Sequence, residues 1–375
     1  MITLPPLAAR VSLGALRRNL RSLSALLPRD SAMSVLVKSD GYGHGMEPVA
    51  RVALEEGSRF VVVASLDEAV QLRHLDFPAN ILISGPLFRE EAPEAVAGGF
   101  SVCIGNSDTA RALDTAAQAQ GKKARVHLKL DTGMGRFGFL DSPESMASML
   151  DDLVALPGLA IEGVLTHFSE ADDPDSAFTQ AQAARFRAAL RMIEERGLRP
   201  RWIHAANSGA LLYFPDTCFS MVRIGISAYG VYPGGRQTPG LELEPVMTLA
   251  CRVADVREVP AGTPVSYGRT FVTKRPSRLA VLPLGYGHGY PRHASGRAEV
   301  MIHGRRAPVV GRITMHLTIA DVTDLDNVQT GDPVLVFGRL GDDFLRVEEL
   351  ARAADTIAYE ILCNVGRCAP RIVEE

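Results

Sequence analysis

The stretch SVLVKSDGYGHG, Ser34 to Gly45, joins a buried strand to a permissive loop and sets a lysine at the junction. Val35, Leu36 and Val37 form a short continuous apolar run, as a parallel strand covered on both faces requires. Lys38 is the first residue beyond the run. Gly41, Gly43 and Gly45 behind it favour turns and close backbone approach over strand extension. A helix is expected from about Met46, with Val49, Val52 and Ala53 on one face and Gly57 as its stop. Lys38 therefore stands at the carboxyl end of a strand, where an α/β barrel collects its functional groups. A lysine in that position is by itself more often a solvated charge, so the rest of the chain has to supply the context.

Upstream, Ser12 caps a helix whose Leu13, Leu16, Leu20 and Leu23 recur at helical spacing and which ends before Pro28. Downstream, apolar strands are expected at Phe60 to Val63, Ile81 to Ser84, Ser101 to Ile104, Arg125 to Leu130, Ile161 to Thr166, Trp202 to Ala205 and Met221 to Ile224. Helical patterns lie between them, as at Asp67 to Leu75, Ser107 to Gln120, Pro143 to Leu156 and Ala177 to Arg196. Eight alternating units predict a TIM (β/α)8 barrel rather than an open doubly wound sheet, and no GxGxxG follows the first strand. Past Pro233 the grammar changes to short alternating runs at Val246 to Val253, Arg278 to Leu284, Ala298 to Ile302, Ala307 to Ile313 and Pro333 to Phe337. A single late helix is expected at Val347 to Ala354. The fold class is thus α/β: a barrel over 1–235, followed by a mainly β domain over 236–375.

Bulk properties narrow the function. Forty basic against forty-three acidic residues give a net charge of −3, too balanced for a nucleic-acid footprint, so a small-molecule partner is expected. The five cysteines contain no Cys-x-x-Cys pair, which points to a reducing compartment and gives no sign of a metal. Pro5 and Pro6 interrupt any signal-peptide segment, and no apolar run is long enough to span a membrane. A soluble, cytoplasmic protein is expected.

Chemistry-bearing residues gather at the predicted strand ends. In HLKLDTGMGRFG, His127, Lys129 and Asp131 alternate with Val126, Leu128 and Leu130, so one polar face points into the barrel. A lysine there has to be paired, with Asp131 or another anion. THFSEAD supplies His167 and Asp172 after the sixth strand. Ser208 after the seventh strand, with Gly225 and Ile226 after Arg223 of the eighth, form a candidate phosphate cradle, because the last two loops of such barrels commonly hold phosphate on N–H groups and hydroxyls.

The string V-K-S-D-G-Y-G-H-G resembles the cofactor-lysine motif of the alanine racemase family, fold-type III pyridoxal-phosphate enzymes, and K-x-D-T-G-M-G-R at Lys129 to Arg136 is similar letter by letter. The resemblance covers essentially the whole chain. It implies pyridoxal 5′-phosphate held as a Schiff base on Lys38, with Tyr42 and Tyr359 at the phosphate and His167 beside the ring. It also implies that Lys129 is carbamylated and holds Arg136 near the substrate carboxylate, together with the Met315 backbone. Tyr267, in PVSYGRTF, matches the family's second catalytic base, which comes from the partner subunit of an obligate homodimer. Asp172, Tyr286, Arg292 and Arg312 fall at the entrance. Racemisation needs a proton donor on each face of a planar carbanion, and one lysine reaches only one face.

Arg223 separates the reactions. A pyridine nitrogen facing a carboxylate is protonated and becomes a strong electron sink, which suits decarboxylation; an arginine keeps its own proton and disfavours that route. The resemblance therefore implies an isomerase, a pyridoxal-phosphate racemase acting on alanine. A racemase of other or broader substrates on the same scaffold is the rival. A non-enzymatic pyridoxal-phosphate carrier is a third reading, but carriers resemble the first half only. Two motifs depart from the family: His288 stands in GYGHGYPR and His316 in GRITMH where aspartate is usual. Each change removes an anion near the substrate route.

Overall fold

The computed structural model describes residues 5–75 and 77–375. A strand that the sequence reading did not anticipate opens the chain: β1 (Leu7–Ser12). Ser12 then accepts the Ala15 N–H through its hydroxyl, and the helix Leu13–Ser24 buries Leu13, Leu16, Leu20 and Leu23, as their spacing predicted.

The barrel strands follow: β2 (Ala32–Leu36), β3 (Phe60–Val63), β4 (Asn80–Ile83), β5 (Ser101–Ile104), β6 (Ala124–Asp131), β7 (Leu159–Leu165), β8 (Trp202–His204) and β9 (Met221–Ile224). Each is parallel to its neighbour, in the order β9-β2-β3-β4-β5-β6-β7-β8. The remaining seam, between β8 and β9, is bridged by Ser220 N–H to the Ile203 carbonyl at 3.1 Å and Arg223 N–H to the Ala206 carbonyl at 3.0 Å. The structure bears out the expected eight-stranded barrel.

Period-two alternation sorts the side chains. Phe60, Val62, Leu82, Cys103, Leu165 and Met221 pack together as the barrel filling. Val61, Val63, Ile81, Ile83, Val102 and Ile104 join the larger core beneath the helices. Each such side chain contributes about 1.5–3 kcal/mol when fully buried, so the ring is held from both faces. Val126, Leu128 and Leu130 also face the helices, which turns His127 and Lys129 into the lumen as the sequence pattern required.

The second part of the chain is mainly β. Its principal sheet runs Arg305–Pro308, Glu299–Ile302, Pro333–Leu340, Met247–Arg252, β1 and Arg371–Glu374. Thus β1 pairs antiparallel with Met247–Arg252 and parallel with Arg371–Glu374, and the chain's first strand lies in the later sheet. The single late helix is a second correction: Val347–Ala353 is followed by another helix, Ala358–Cys368, whose Ala358, Ile361, Leu362 and Val365 are buried. That helix brings the second part against the Lys38 loop. A β-carbon on Gly43 would lie 2.3 Å from the Leu362 carbonyl oxygen, and one on Gly366 would lie 2.0 Å from the Gly43 carbonyl oxygen, so only glycines permit this approach.

Candidate active site

A cavity of about 680 Å³ opens at the carboxyl ends of the barrel strands. It gathers Lys38 and Tyr42 from the loop after β2, and Lys129 and Arg136 from β6 and its loop. His167 and Asp172 follow β7, Ser208 follows β8, and Arg223, Gly225 and Ile226 belong to β9 and its loop. Tyr359 and Cys363 reach it from the helix Ala358–Cys368. Eleven of the sequence-predicted positions therefore share one space, drawn from five strands and one late helix.

The Lys38 loop does not turn as its glycines alone suggested. Ser39, Asp40, Gly41 and Tyr42 all have positive φ, between 52° and 63°, so a complete left-handed turn follows the lysine. For residues with a β-carbon this conformation costs roughly 1–2 kcal/mol each, less for aspartate. Burial lowers the Lys38 amine below its ordinary value, and the Arg136 guanidinium adds to this.

Arg223 is 5% exposed, yet both terminal nitrogens of its guanidinium have acceptors. Nη1 donates to the His204 carbonyl at 2.9 Å and to His204 Nδ1 at 3.1 Å. Nη2 donates to the carbonyls of Thr166 at 2.9 Å and Ala205 at 3.0 Å, and to His167 Nδ1 at 3.1 Å. Burial pushes its pKa down to about 10, which still leaves it cationic at neutral pH.

Because arginine can only donate, it fixes the protons beyond it. His204 accepts at Nδ1, so its Nε2–H is left to donate to His127 Nδ1, 2.8 Å away. His127 in turn donates Nε2–H to Glu162 at 3.2 Å. Burial holds both imidazoles below their ordinary value, hence neutral. Burial opposes ionisation of Glu162, but its bonds from His127 and Ser101 outweigh this and keep it anionic. His204 and Glu162 escaped the sequence reading, and His127 was read only as part of a polar face. They lie far apart in the chain and share no motif; only the inward register of β6, β7 and β8 unites them.

Lys129 is 5% exposed. It donates to the Phe137 carbonyl at 3.0 Å and lies 5.2 Å from the Phe137 ring centroid, not paired with Asp131 as one sequence alternative had it. Asp131 instead accepts the backbone N–H groups of Gly133, Gly135 and Arg136. Burial lowers the Lys129 amine to about 8, with Arg223 and Arg136 adding to the effect.

Tyr267, Tyr286, Arg292, Arg312 and Met315 lie outside this cavity, on the second part of the chain. Tyr267 rides a turn flanked by positive φ at Ser266, Gly268 and Arg269 and is 71% exposed. Tyr286 and Met315 are also exposed, and their loops interlock through Tyr286 N–H to the Thr314 carbonyl at 3.0 Å and Gly287 N–H to the Met315 carbonyl at 2.8 Å. The two histidines that depart from the family pattern meet here, with ring centroids 5.0 Å apart.

Residues 11–233 match the family model for the N-terminal domain of alanine racemase, and residues 246–373 match that for its C-terminal domain. The chain belongs to the alanine racemase family. An alanine racemase from Desulforamulus reducens is 40% identical over 368 residues, 98% of each chain. The crystal structure of alanine racemase from Streptomyces lavendulae superposes with a TM-score of 0.94 at 36% identity, covering 100% of this chain and 98% of that one. The Bartonella henselae alanine racemase, solved with covalently bound pyridoxal phosphate, gives a TM-score of 0.90 at 28% identity over 99% of this chain and 100% of that one.

The cavity suits the pyridoxal 5′-phosphate on which alanine racemases depend. Ser208 Oγ accepts Gly225 N–H at 2.9 Å and Ser227 N–H at 3.4 Å, so its own hydrogen is left for an anion. Ser227 Oγ is buried without a partner among the described residues. A β-carbon on Gly225 would come within 3.1 Å of the Tyr42 hydroxyl, so the glycine keeps this cradle open. A deprotonatable amine on Lys38 and a fixed guanidinium on Arg223 complete a donor set fitted to an anionic aldehyde with a basic ring nitrogen.

Proposed function

We propose that this chain is a pyridoxal-phosphate-dependent isomerase interconverting L- and D-alanine, working as a homodimer in which each site takes Tyr267 of the partner subunit. The observation that carries the choice of reaction is Arg223, the buried charged group beside His167 in the Lys38 cavity. It argues against the ring protonation that a decarboxylase exploits.

When bound, the cofactor supplies an electron-accepting ring that acidifies the substrate's α-hydrogen. Lys38 holds the cofactor and moves that hydrogen on one face, and burial lowers its amine below the ordinary value, which favours the free-base form that takes up a proton. Tyr267 of the partner subunit handles the hydrogen on the opposite face. His167 accepts from Arg223 at Nδ1, so its Nε2–H remains to donate to the phenolate form of that tyrosine. Tyr42, Ser208, Tyr359, the open space at Gly225 and the N–H group of Ile226 receive the phosphate. Arg136 and the Met315 backbone orient the substrate carboxylate, and Asp172, Tyr286, Arg292 and Arg312 line the approach. The barrel is assigned to 1–235 and the domain that serves the partner's site to 236–375. A cytoplasmic location is supported by the free state of all five cysteines; no helix among the described residues is long and apolar enough to cross a membrane.

The Lys129 carbamate is supported by the amine's depressed basicity, because only an unprotonated amine adds carbon dioxide, and by the two arginines that would welcome an anion. Carbon-13 bicarbonate is expected to give a carbamate resonance that grows as pH rises through about 8 and disappears in Lys129→Ala. No such resonance would remove the assignment.

Incubation with alanine in heavy water tests the reaction. Optical rotation is expected to decay while deuterium enters the α-carbon; carbon dioxide release or no turnover defeats the proposal. The contact between His288 and His316 supports a second reading, an approach less hostile to anionic side chains than a pair of aspartates. Restoring both carboxylates by His288→Asp and His316→Asp is expected to lower kcat/KM for acidic amino acids relative to alanine by on the order of 1 kcal/mol per charge, roughly fivefold. An unchanged preference across an amino-acid panel sinks that second reading.

A further inference from the structure

Four successive residues behind Lys38 adopt a conformation that three of them, Ser39, Asp40 and Tyr42, disfavour on steric grounds. Such a turn persists only where its surroundings over-determine it. The ties come from separate parts of the chain. Glu68, on the helix Leu66–His74, accepts Ser39 N–H at 2.7 Å. Asp40 accepts Met46 N–H at 2.7 Å, and its other oxygen accepts from Arg371 Nη1 at 2.5 Å. The same Nη1 donates to the Gly43 carbonyl at 3.1 Å. His44, fully buried, shares its Nδ1–H between the carbonyls of Gly41 and Tyr42, each at 3.0 Å. Gly366 of the late helix closes the far side.

We infer that Arg371 and His44 are positioning residues: they hold the left-handed turn of residues 39–43 closed, and that turn fixes Lys38 and Tyr42 on the cofactor. Lys38 precedes the turn and Tyr42 ends it, and both line the cavity, so one backbone unit carries the attachment point and a phosphate ligand together. This inference rests on the assignment of Lys38 above. Release of the ties lets Ser39 and Asp40 return to right-handed backbone, where residues with a β-carbon are unstrained. Lys38 and Tyr42 then lose their common orientation while the barrel strands stay paired. Arg371 is the tie most open to test, because its side chain is partly exposed and its removal leaves no buried charge.

Three readouts test the clamp: amide hydrogen exchange at residues 39–43 of the cofactor-free protein, the half-time for release of pyridoxal 5′-phosphate from the loaded protein, and kcat against KM. Arg371→Ala is expected to speed exchange at 39–43 by about tenfold and to shorten retention by a similar factor, with exchange in the barrel strands unchanged. Arg371→Lys keeps a cation there and recovers part of both. Adding Ser39→Gly to Arg371→Ala restores retention to within roughly threefold of the unaltered protein, since glycine enters the left-handed region without steric cost. A merely structural role for Arg371 would not be rescued by a glycine at a residue it does not touch. Unchanged exchange at 39–43 in Arg371→Ala, or no rescue by Ser39→Gly, overturns the inference. Borohydride fixation and peptide mapping of the unaltered protein judge Lys38 separately. A label elsewhere refutes the attachment role, and the exchange data still decide whether the clamp exists.

Discussion

Lys38→Ala is expected to be a folded, colourless protein whose alanine racemisation has fallen by at least about 10⁴-fold. Two amines line the cavity, and the second cannot substitute: Lys129 is inside the barrel and engaged with the Phe137 carbonyl. Alanine removes both the covalent hold and the base on one face, so cofactor affinity and turnover fall together. Stability should hardly change, because the amine that is lost was being desolvated. Absorbance of the purified variant, borohydride fixation and a melting curve check the three parts. A borohydride-stable adduct in Lys38→Ala would place the attachment elsewhere and remove the basis for the site.

Tyr267→Phe carries the second large effect, a loss of about 10²–10⁴-fold with the cofactor still bound. Its two stereochemical directions should respond differently to heavy water, because one proton donor has been replaced by solvent. The exposure of Tyr267 on its own chain leads to a sharper form of the experiment. Lys38→Ala and Tyr267→Phe are each nearly inactive alone. If every site combines Lys38 of one subunit with Tyr267 of the other, refolding an equal mixture gives dimers of which half are mixed, and each mixed dimer has one intact site. Activity should return to about a quarter of the unaltered level. No recovery, with mixed dimers demonstrated by mass, would mean that both residues serve the same subunit's site or that Tyr267 serves none.

The barrel was legible in the sequence because its strands are continuous apolar runs, such as Phe60 to Val63, and each meets a helix with clear periodicity before the next. The strand β1 was not legible. LAARVS carries an arginine and has no local partner, since its neighbours in the sheet are residues 247–252 and 371–374. The helix Ala358–Cys368 contains Gly366 and a Tyr-Glu-Ile-Leu run with mixed propensities, and what holds it is tertiary packing against the Lys38 loop. The site shows the same division. Lys38, Lys129 and Arg223 stand at strand ends inside recognisable motifs, whereas His204 and Glu162 become partners only once register sets them on one inner face. Nothing about Ser39 or Asp40 as residue types announces positive φ, because the environment imposes it.

The place of Arg371 has a consequence for how the enzyme is made. A ribosome delivers Lys38 and all eight barrel strands long before it delivers Arg371, and β1 waits throughout for two flanking strands that are made later. A nascent polypeptide can therefore shape its barrel while the lysine turn is still loose. On the clamp inferred above, vitamin B6 is gripped at full strength only after synthesis has passed residue 371.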